Sequence, residues 1–222
     1  MEFDTSYMVP DVGRFRVSIF RQRGNIGIEM RVIPHHVGAF DELNLPAVLW
    51  NIVKAPNGMV LVCGPTGNGK STTMASMIRY INDNFNYSII TIEDPIEFIF
   101  HSNQSCIIQR ELGIDTESFG GALKAAMRMD PDVIMVGELR DMETIDACIK
   151  AAETGHLVIS TLHTTDAVQT VDRVIDVFPT HQQQQVRVQV SVNLVAVMSQ
   201  VLVRRPEGTG RVPAFECMEA LP

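Results

Sequence analysis

The sequence predicts an α/β fold: a parallel-containing sheet covered by helices, preceded by a small β-rich piece. Two observations carry that reading. Four short apolar runs, MVLVC, SIITI, VIMVG and LVIST, each end in polar or glycine-rich punctuation. Among them lie segments of helical period, STTMASMIRYIND, ESFGGALKAAMRM, ETIDACIKAAE and AVQTVDRVIDVF. Continuous apolar strands alternating with helices indicate a sheet buried on both faces. With 222 residues, 45% of them hydrophobic, the chain can build one substantial domain plus an appendage.

The appendage comes first. FRVSIF and IGIEMRVI read as strands on either side of Arg21-Gln22-Arg23-Gly24-Asn25, with Gly24 and Asn25 supplying the turn. This predicts a hairpin ending at Pro34. A piece of about 35 residues holds no core by itself, so it must dock on something else. A linker with His35, His36 and Gly38 then leads into LPAVLWNIV. One later segment, VRVQVSVNLVAVM, is ambiguous. Its valine-rich alternation suits a strand, whereas its length and the preceding HQQQQ suit a helix.

Composition removes several classes of function. A formal net charge of -8 argues against a broad basic surface, and so against direct nucleic-acid binding. Cys63, Cys106, Cys148 and Cys217 form no CxxC pair and match no zinc spacing. They read as free thiols in a reducing compartment, the cytoplasm. No apolar run reaches the ~18 residues of a membrane span. The opening MEFDTSYMVP lacks the basic start and apolar run of a secretory signal.

Chemistry concentrates at one loop and the strand ends near it. Gly64-Pro65-Thr66-Gly67-Asn68-Gly69-Lys70-Ser71 fits G-x-x-x-x-G-K-[ST], with an apolar strand before it and a helix pattern after it. Glycines let successive backbone N–H groups face a phosphate, and the helix N-terminus adds partial positive charge. Lys70 is placed to reach the β- and γ-phosphates, and Ser71 to ligate Mg²⁺. Pro65, Thr66, Gly67, Asn68, Gly69, Lys70, Ser71 and Thr72 are therefore the candidate ATP-binding residues. Glu93, with Asp94 beside it, ends one strand run, and Glu138 follows Gly137 at the end of another. Ligands of open α/β sheets gather at that edge. One acid is expected to deprotonate or orient water and the other to hold the Mg²⁺ shell. His156 and His163 bracket LVIST, and His163, at its C-terminal end, is the better candidate. Arg16 and Arg31 fall on the two predicted hairpin strands, where strand register can bring them onto one patch.

These blocks together resemble the secretion ATPase superfamily, most closely its pilus-retraction (PilT-type) branch. The resemblance rests on GPTGNGKST, ITIEDPIEF, RMDPDVIMVGELRDMETI and AAETGHLVISTLHTTDAVQTVDRVIDVFP, supported by RFRVSIFRQRG and QVRVQVSVNLVAVMSQVLVRR. It implies a RecA-like P-loop core, residues 47–222, truncated at its C-terminal end. A partial PAS-like piece, residues 1–35, and a linker, residues 36–46, would precede it. It implies Glu93 as general base, Glu138 as the Walker B acid in the Mg²⁺ shell beside Ser71, and His163 as γ-phosphate sensor. Arg16 and Arg31 match arginines that reach the nucleotide. It further implies that VRVQVSVNLVAVM is mainly helical. The function it implies is ATP hydrolysis by a homo-hexameric motor that retracts type IV pili. Its expected partners are a pilus platform protein, met at the cytoplasmic face of the inner membrane, and a paralogous motor ATPase. The alternatives are a pilus-extension or type II secretion ATPase, or an accessory nucleotide-binding regulator. VLVRRPEGTGRVPAFEC runs on without the four-cysteine insertion of the extension and secretion branches.

Overall fold

The computed structural model describes residues 2–10, 12–33 and 36–220. Pro34 and His35, where the sequence places the hairpin end and the linker start, lie outside the described residues. Two sheets organise the chain. A three-stranded antiparallel sheet comes first, built from β1 (Glu2–Val9), β2 (Gly13–Gln22) and β3 (Asn25–Ile33) in that order. The expected hairpin is thus only part of the piece, because β1 pairs along the outer edge of β2.

The turn also sits one residue earlier than expected. Gln22 pairs with Asn25, which leaves Arg23 and Gly24 as the two turn residues. Both adopt positive φ, 50° and 83°. A two-residue turn that matches the twist of its strands needs this conformation at both positions.

The faces of this small sheet differ in chemistry. Phe3, Tyr7, Ile28, Met30 and Val32 stand exposed on one face. The other carries Ser6, Arg14, Arg16 and Arg31, and Arg16 is the direct cross-strand neighbour of both Ser6 and Arg31.

The second sheet has seven strands in the order β10-β9-β4-β8-β7-β5-β6. Its centre is the set of apolar runs read from the sequence: β4 (Gly58–Cys63), β5 (Ser88–Glu93), β7 (Val133–Val136) and β8 (Leu157–Leu162). Every residue of β4, β7 and β8 is buried, as a sheet covered on both faces requires. The sequence reading misses β6 (Cys106–Glu111) and β10 (Arg211–Glu219), and β9 (Leu194–Arg204) begins inside the segment it left ambiguous. All strands from β6 to β9 run parallel to their neighbours, and only β10 is antiparallel, at the edge.

Alternate residues of β4 point into different layers. Met59, Leu61 and Cys63 join the core beneath α3 (Phe119–Ala126), α4 (Met142–Glu153), α5 (Ala167–Asp176) and α6 (Thr180–Asn193). Val60 and Val62 join the opposite core, beneath α1 (Leu49–Ile52) and α2 (Lys70–Asn84). Side-chain caps start α3, α4 and α5, where Ser118, Asp141 and Asp166 accept from amides three residues on.

The segment from 186 to 198 is mainly helical, as the resemblance implied, and its last five residues open a strand. It is helical to Asn193 and becomes β9 at Leu194. Val186 and Val190 are buried one helical turn apart, and Val188 and Val192 face outward. Residues 37–40 pack closely on α2. Ser76 and Arg79 donate to the Gly38 and Val37 carbonyls, and Phe40 joins an aromatic cluster with Trp50 and Tyr80. Among the described residues no helix is long and apolar enough to cross a membrane.

Candidate active site

The C-terminal ends of β4, β5, β7 and β8 meet the polar face of the N-terminal sheet around a cleft of about 570 Å³. Five of the chain's 18 lysines and arginines line it: Arg16, Arg31, Lys70, Arg140 and Arg211. Glu93, Asp94, Glu97 and Glu138 line it too, so the cleft is nearly balanced on a chain of net charge -8, which suits an anionic ligand carried with a cation.

The loop between β4 and α2 forms the floor. Gly64 has φ 140°, and a Cβ there would meet the Gln200 carbonyl at 2.2 Å, so only glycine lets the loop pass this close to β9. Gly69 caps α2 in the left-handed region at φ 85°. Strand β9 braces the loop from outside. Buried Gln200 donates to the Asn68 carbonyl at 2.8 Å and accepts from Thr73 Oγ at 2.6 Å. The Leu202 amide donates to the Asn68 side chain at 2.8 Å. Pro65, Thr66 and Gly67 are exposed, and Ser71 and Thr72 are half-buried at the first turn of α2. A loop fixed in this shape, at a helix N-terminus, suits a phosphate-like anion.

Lys70 is buried and points back into the loop. Its Nζ donates to the Gly64 carbonyl at 2.7 Å and the Pro65 carbonyl at 3.1 Å, and lies 3.4 Å from His163 Nδ1. Burial holds its pKa below the ordinary lysine value, opposed by the charges of Cys63, Glu138 and Glu97. An ammonium only donates, so Nδ1 of His163 accepts, and the ring proton belongs on Nε2. That nitrogen lies 3.4 Å from Glu138, whose carboxylate also pairs with Arg140. His163 therefore joins the loop, through Lys70 and Thr66, to the acid that follows β7. His156 lies apart from the cleft, buried against the Ala151 carbonyl.

Glu93 is the last residue of β5, only 5% exposed. Its carboxylate accepts from Thr91 Oγ at 2.7 Å, Gln109 Nε2 at 3.1 Å and the Glu97 amide at 3.3 Å. Burial pushes its pKa above the ordinary carboxylate value, and those three hydrogen bonds act against the rise. A buried, oriented carboxylate with a raised pKa is a stronger proton acceptor than an ordinary one.

Arg16 and Arg31 line the cleft from the facing sheet, and among the described residues neither side chain makes a hydrogen bond or ion pair. For Mg²⁺ the fit is adequate but sparse. No three His, Cys, Asp or Glu side chains converge among the described residues. Ser71 and Glu138 both line the cleft, and Mg²⁺ characteristically takes few protein ligands and keeps its waters.

The structure also brings in residues the sequence reading did not single out. Arg140 bridges Glu138 and, at 3.8 Å, Asp94. Gln109 holds Glu93 from β6, and Arg211 donates to the Gly67 carbonyl at 3.3 Å from β10. Gln200 had a usable signal, a lone amide in a valine-rich strand that must find a buried partner. Arg211 had none, because its approach depends on the β9–β10 pairing.

Comparison with known proteins fits this geometry. The chain is 51% identical over its whole length to a twitching motility protein of Neisseria gonorrhoeae, covering 59% of that protein. It is 49% identical, again over its whole length, to the type IV pilus retraction ATPase PilT of Pseudomonas aeruginosa, covering 64% of it. It thus spans about three-fifths of the length of these relatives. A crystal structure of the pilus retraction motor PilT with bound ADP superposes with a TM-score of 0.96 at 49% identity, over 100% of this chain and 64% of the other. Residues 16–214 match the family described as Type II/IV secretion system protein. The chain belongs to that family.

Proposed function

We propose that this chain is the catalytic part of an ATP-hydrolysing motor that powers type IV pilus retraction. The observation that carries the proposal is the pairing of a braced 64–71 loop around Lys70 with a buried carboxylate, Glu93, in one cleft. The relatives named for retraction and twitching, alike along the whole chain, supply the direction of the work.

In this reading the triphosphate lies along the α2 N-terminus, with loop amides on its β-phosphate and Lys70 turned onto the γ-phosphate. Ser71 and, through its waters, Glu138 would hold Mg²⁺, which neutralises charge on the β- and γ-oxygens when bound. Glu93 takes the proton of the attacking water. His163, already in contact with Lys70 and Glu138, reports whether the γ-phosphate is present. Arg16 and Arg31 close over the transferring phosphoryl group, where guanidinium forks suit its oxygens.

The domain assignment that goes with this is an N-terminal unit at 1–35, a linker at 36–46 and an ATPase domain at 47–222. We assign the chain to a cytoplasmic homo-hexamer that meets the inner-membrane pilus platform protein and works beside a paralogous motor ATPase.

The test is phosphate release from Mg·ATP, measured together with oligomeric mass. Wild-type chain is expected to turn over ATP in a ring-sized species. Lys70→Ala is expected to lose both turnover and most nucleotide affinity. Unchanged turnover in Lys70→Ala contradicts the site, and full activity in a strict monomer contradicts the ring.

A further inference from the structure

The N-terminal sheet touches the ATPase domain through one polar junction that the reaction scheme leaves unused. Glu111 ends β6 directly opposite Glu93 on β5, and it is 2% exposed. Its carboxylate gathers three elements. Ser6 of β1 donates to Oε1 at 3.0 Å, and Arg14 of β2 pairs with Oε2. The Ile96 amide, three residues beyond Glu93, also donates to Oε2, at 3.2 Å. The Leu112 amide donates to the Glu93 carbonyl at 2.8 Å, so the two strand ends are fastened along the backbone as well.

Among the described residues, these are the only side-chain hydrogen bonds or ion pairs between residues 2–33 and the rest of the chain. Arg14 also donates to Ser6 at 2.6 Å, and its buried Nε has no partner. A half-buried guanidinium with one donor left unpaired is a costly way to hold two surfaces together, and an apolar contact would serve adhesion better. What an ion pair supplies is a fixed register.

The register matters because of what shares the sheet. Arg14 and Arg16 lie on the same face of β2, and Ser6, Arg16 and Arg31 form one row across the three strands. The junction therefore sits at the β1 edge of the row that carries the cleft arginines, with Arg14 two residues from Arg16. The same carboxylate steadies residues 94–97, whose Glu97 amide donates to Glu93.

We infer that the Arg14–Glu111 ion pair is a coupling strut that sets the position of the arginine-bearing sheet and of the Glu93 loop together. Neither residue lines the cleft. Both are positioning residues, and the inference rests on the roles assigned above to Glu93, Arg16 and Arg31.

The test compares wild type, Arg14→Gln, Glu111→Gln and the double variant, by hydrogen exchange and by ATP turnover. The amide introduced by Glu111→Gln still offers a carbonyl to the Ile96 amide but no charge to Arg14, so this variant separates loss of the strut from loss of the fold. Arg14→Gln is expected to speed exchange in two places, residues 2–33 and residues 94–97, although Arg14 bonds to nothing in the second. Misplacement of reacting groups by ~1 Å costs on the order of 10²-fold. A kcat loss of about tenfold or more is thus expected, with ADP affinity unchanged and the double variant no worse than either single one. Arg14→Lys, which keeps the charge, is expected to recover part of the loss. Faster exchange in residues 2–33 with none in 94–97 overturns the coupling, and so do additive losses in the double variant. The exchange result stands apart from the catalytic assignment. If Glu93→Gln turned over ATP normally, that assignment would fail while exchange still decided the strut.

Discussion

The two walls of the cleft are built on opposite plans. On the sheet-edge wall the charged groups Lys70, Glu93 and Glu138 are already held. Lys70 is bonded to two loop carbonyls, Glu93 accepts three hydrogen bonds, and Glu138 lies between Arg140 and His163. On the facing wall Arg16 and Arg31 have no bonded partner among the described residues, and their place depends on where the whole small sheet sits. The first wall can be preorganised before a ligand arrives, which is what electrostatic stabilisation of a transition state requires. The second can change its distance to the ligand without breaking a side-chain hydrogen bond of Arg16 or Arg31, by turning about the Ser6–Arg14–Glu111 junction. On the reading proposed above, the difference is that between a binding surface and a moving part.

The largest expected effect falls on the moving part. An Arg16→Ala, Arg31→Ala double variant is expected to lose turnover by about 10³-fold, the scale of an arginine supplied to a transferring phosphoryl group. Intact turnover in steady-state assays would reduce these residues to a solvated sheet face and dissolve the contrast.

Next comes Glu93 on the fixed wall. Glu93→Gln keeps the shape of the side chain and removes the base, so kcat is expected to fall by about 10²-fold or more while ATP still binds. Near-normal turnover, with a comparable loss in Glu138→Gln, would move the base to Glu138.

The smallest effect is on stability, and its sign follows from burial. Because folding raises the Glu93 pKa, the folded chain holds its proton more tightly than the unfolded chain does. The contribution is therefore present below the ordinary value of 4.5 and is lost as pH rises through the folded-state value. Removing the ionisable group removes this loss. The melting temperature of Glu93→Gln relative to wild type is expected to climb as pH rises above 4.5, and to stay level below it. A difference that stays flat, or falls, across that range would mean that the hydrogen bonds from Thr91, Gln109 and Glu97 outweigh burial.

The same contrast explains what the sequence could show. The fixed wall was legible because its determinants are local. β4, β7 and β8 are buried on both faces and so are written as unbroken apolar runs, and the 64–71 loop announces itself by glycine spacing. The strands at the sheet's edges were not. CIIQRE in β6 and RVPAFECME in β10 mix polar and apolar residues because each has a neighbour on only one side.

The run from Val186 to Met198 misleads for another reason. Val186 and Val190 satisfy a helical repeat, while in β9 Ala196 and Met198 face one core and Val197 the other, so an alternating valine-rich run serves both patterns. Gln109 and Arg211 act through neighbours distant in sequence, so no motif marked them, and Arg140, though inside RMDPDVIMVGELRDMETI, shows its role only through its pairing with Glu138 and Asp94. The arginine pair sits between these extremes. Its placement on neighbouring strands could be read from the hairpin, whereas its direct pairing depended on a turn at Arg23 and Gly24.

The arginine wall is expected to respond to the third phosphate. The most direct test compares the affinities of wild type and Arg31→Ala for ADP and for a non-hydrolysable ATP analogue, both with Mg²⁺. The expected result is an unchanged ADP affinity beside a weakened hold on the triphosphate, so that the ratio between the two narrows. Equal losses for both nucleotides, or no loss for either, would contradict the claim and leave the N-terminal sheet as scaffold alone.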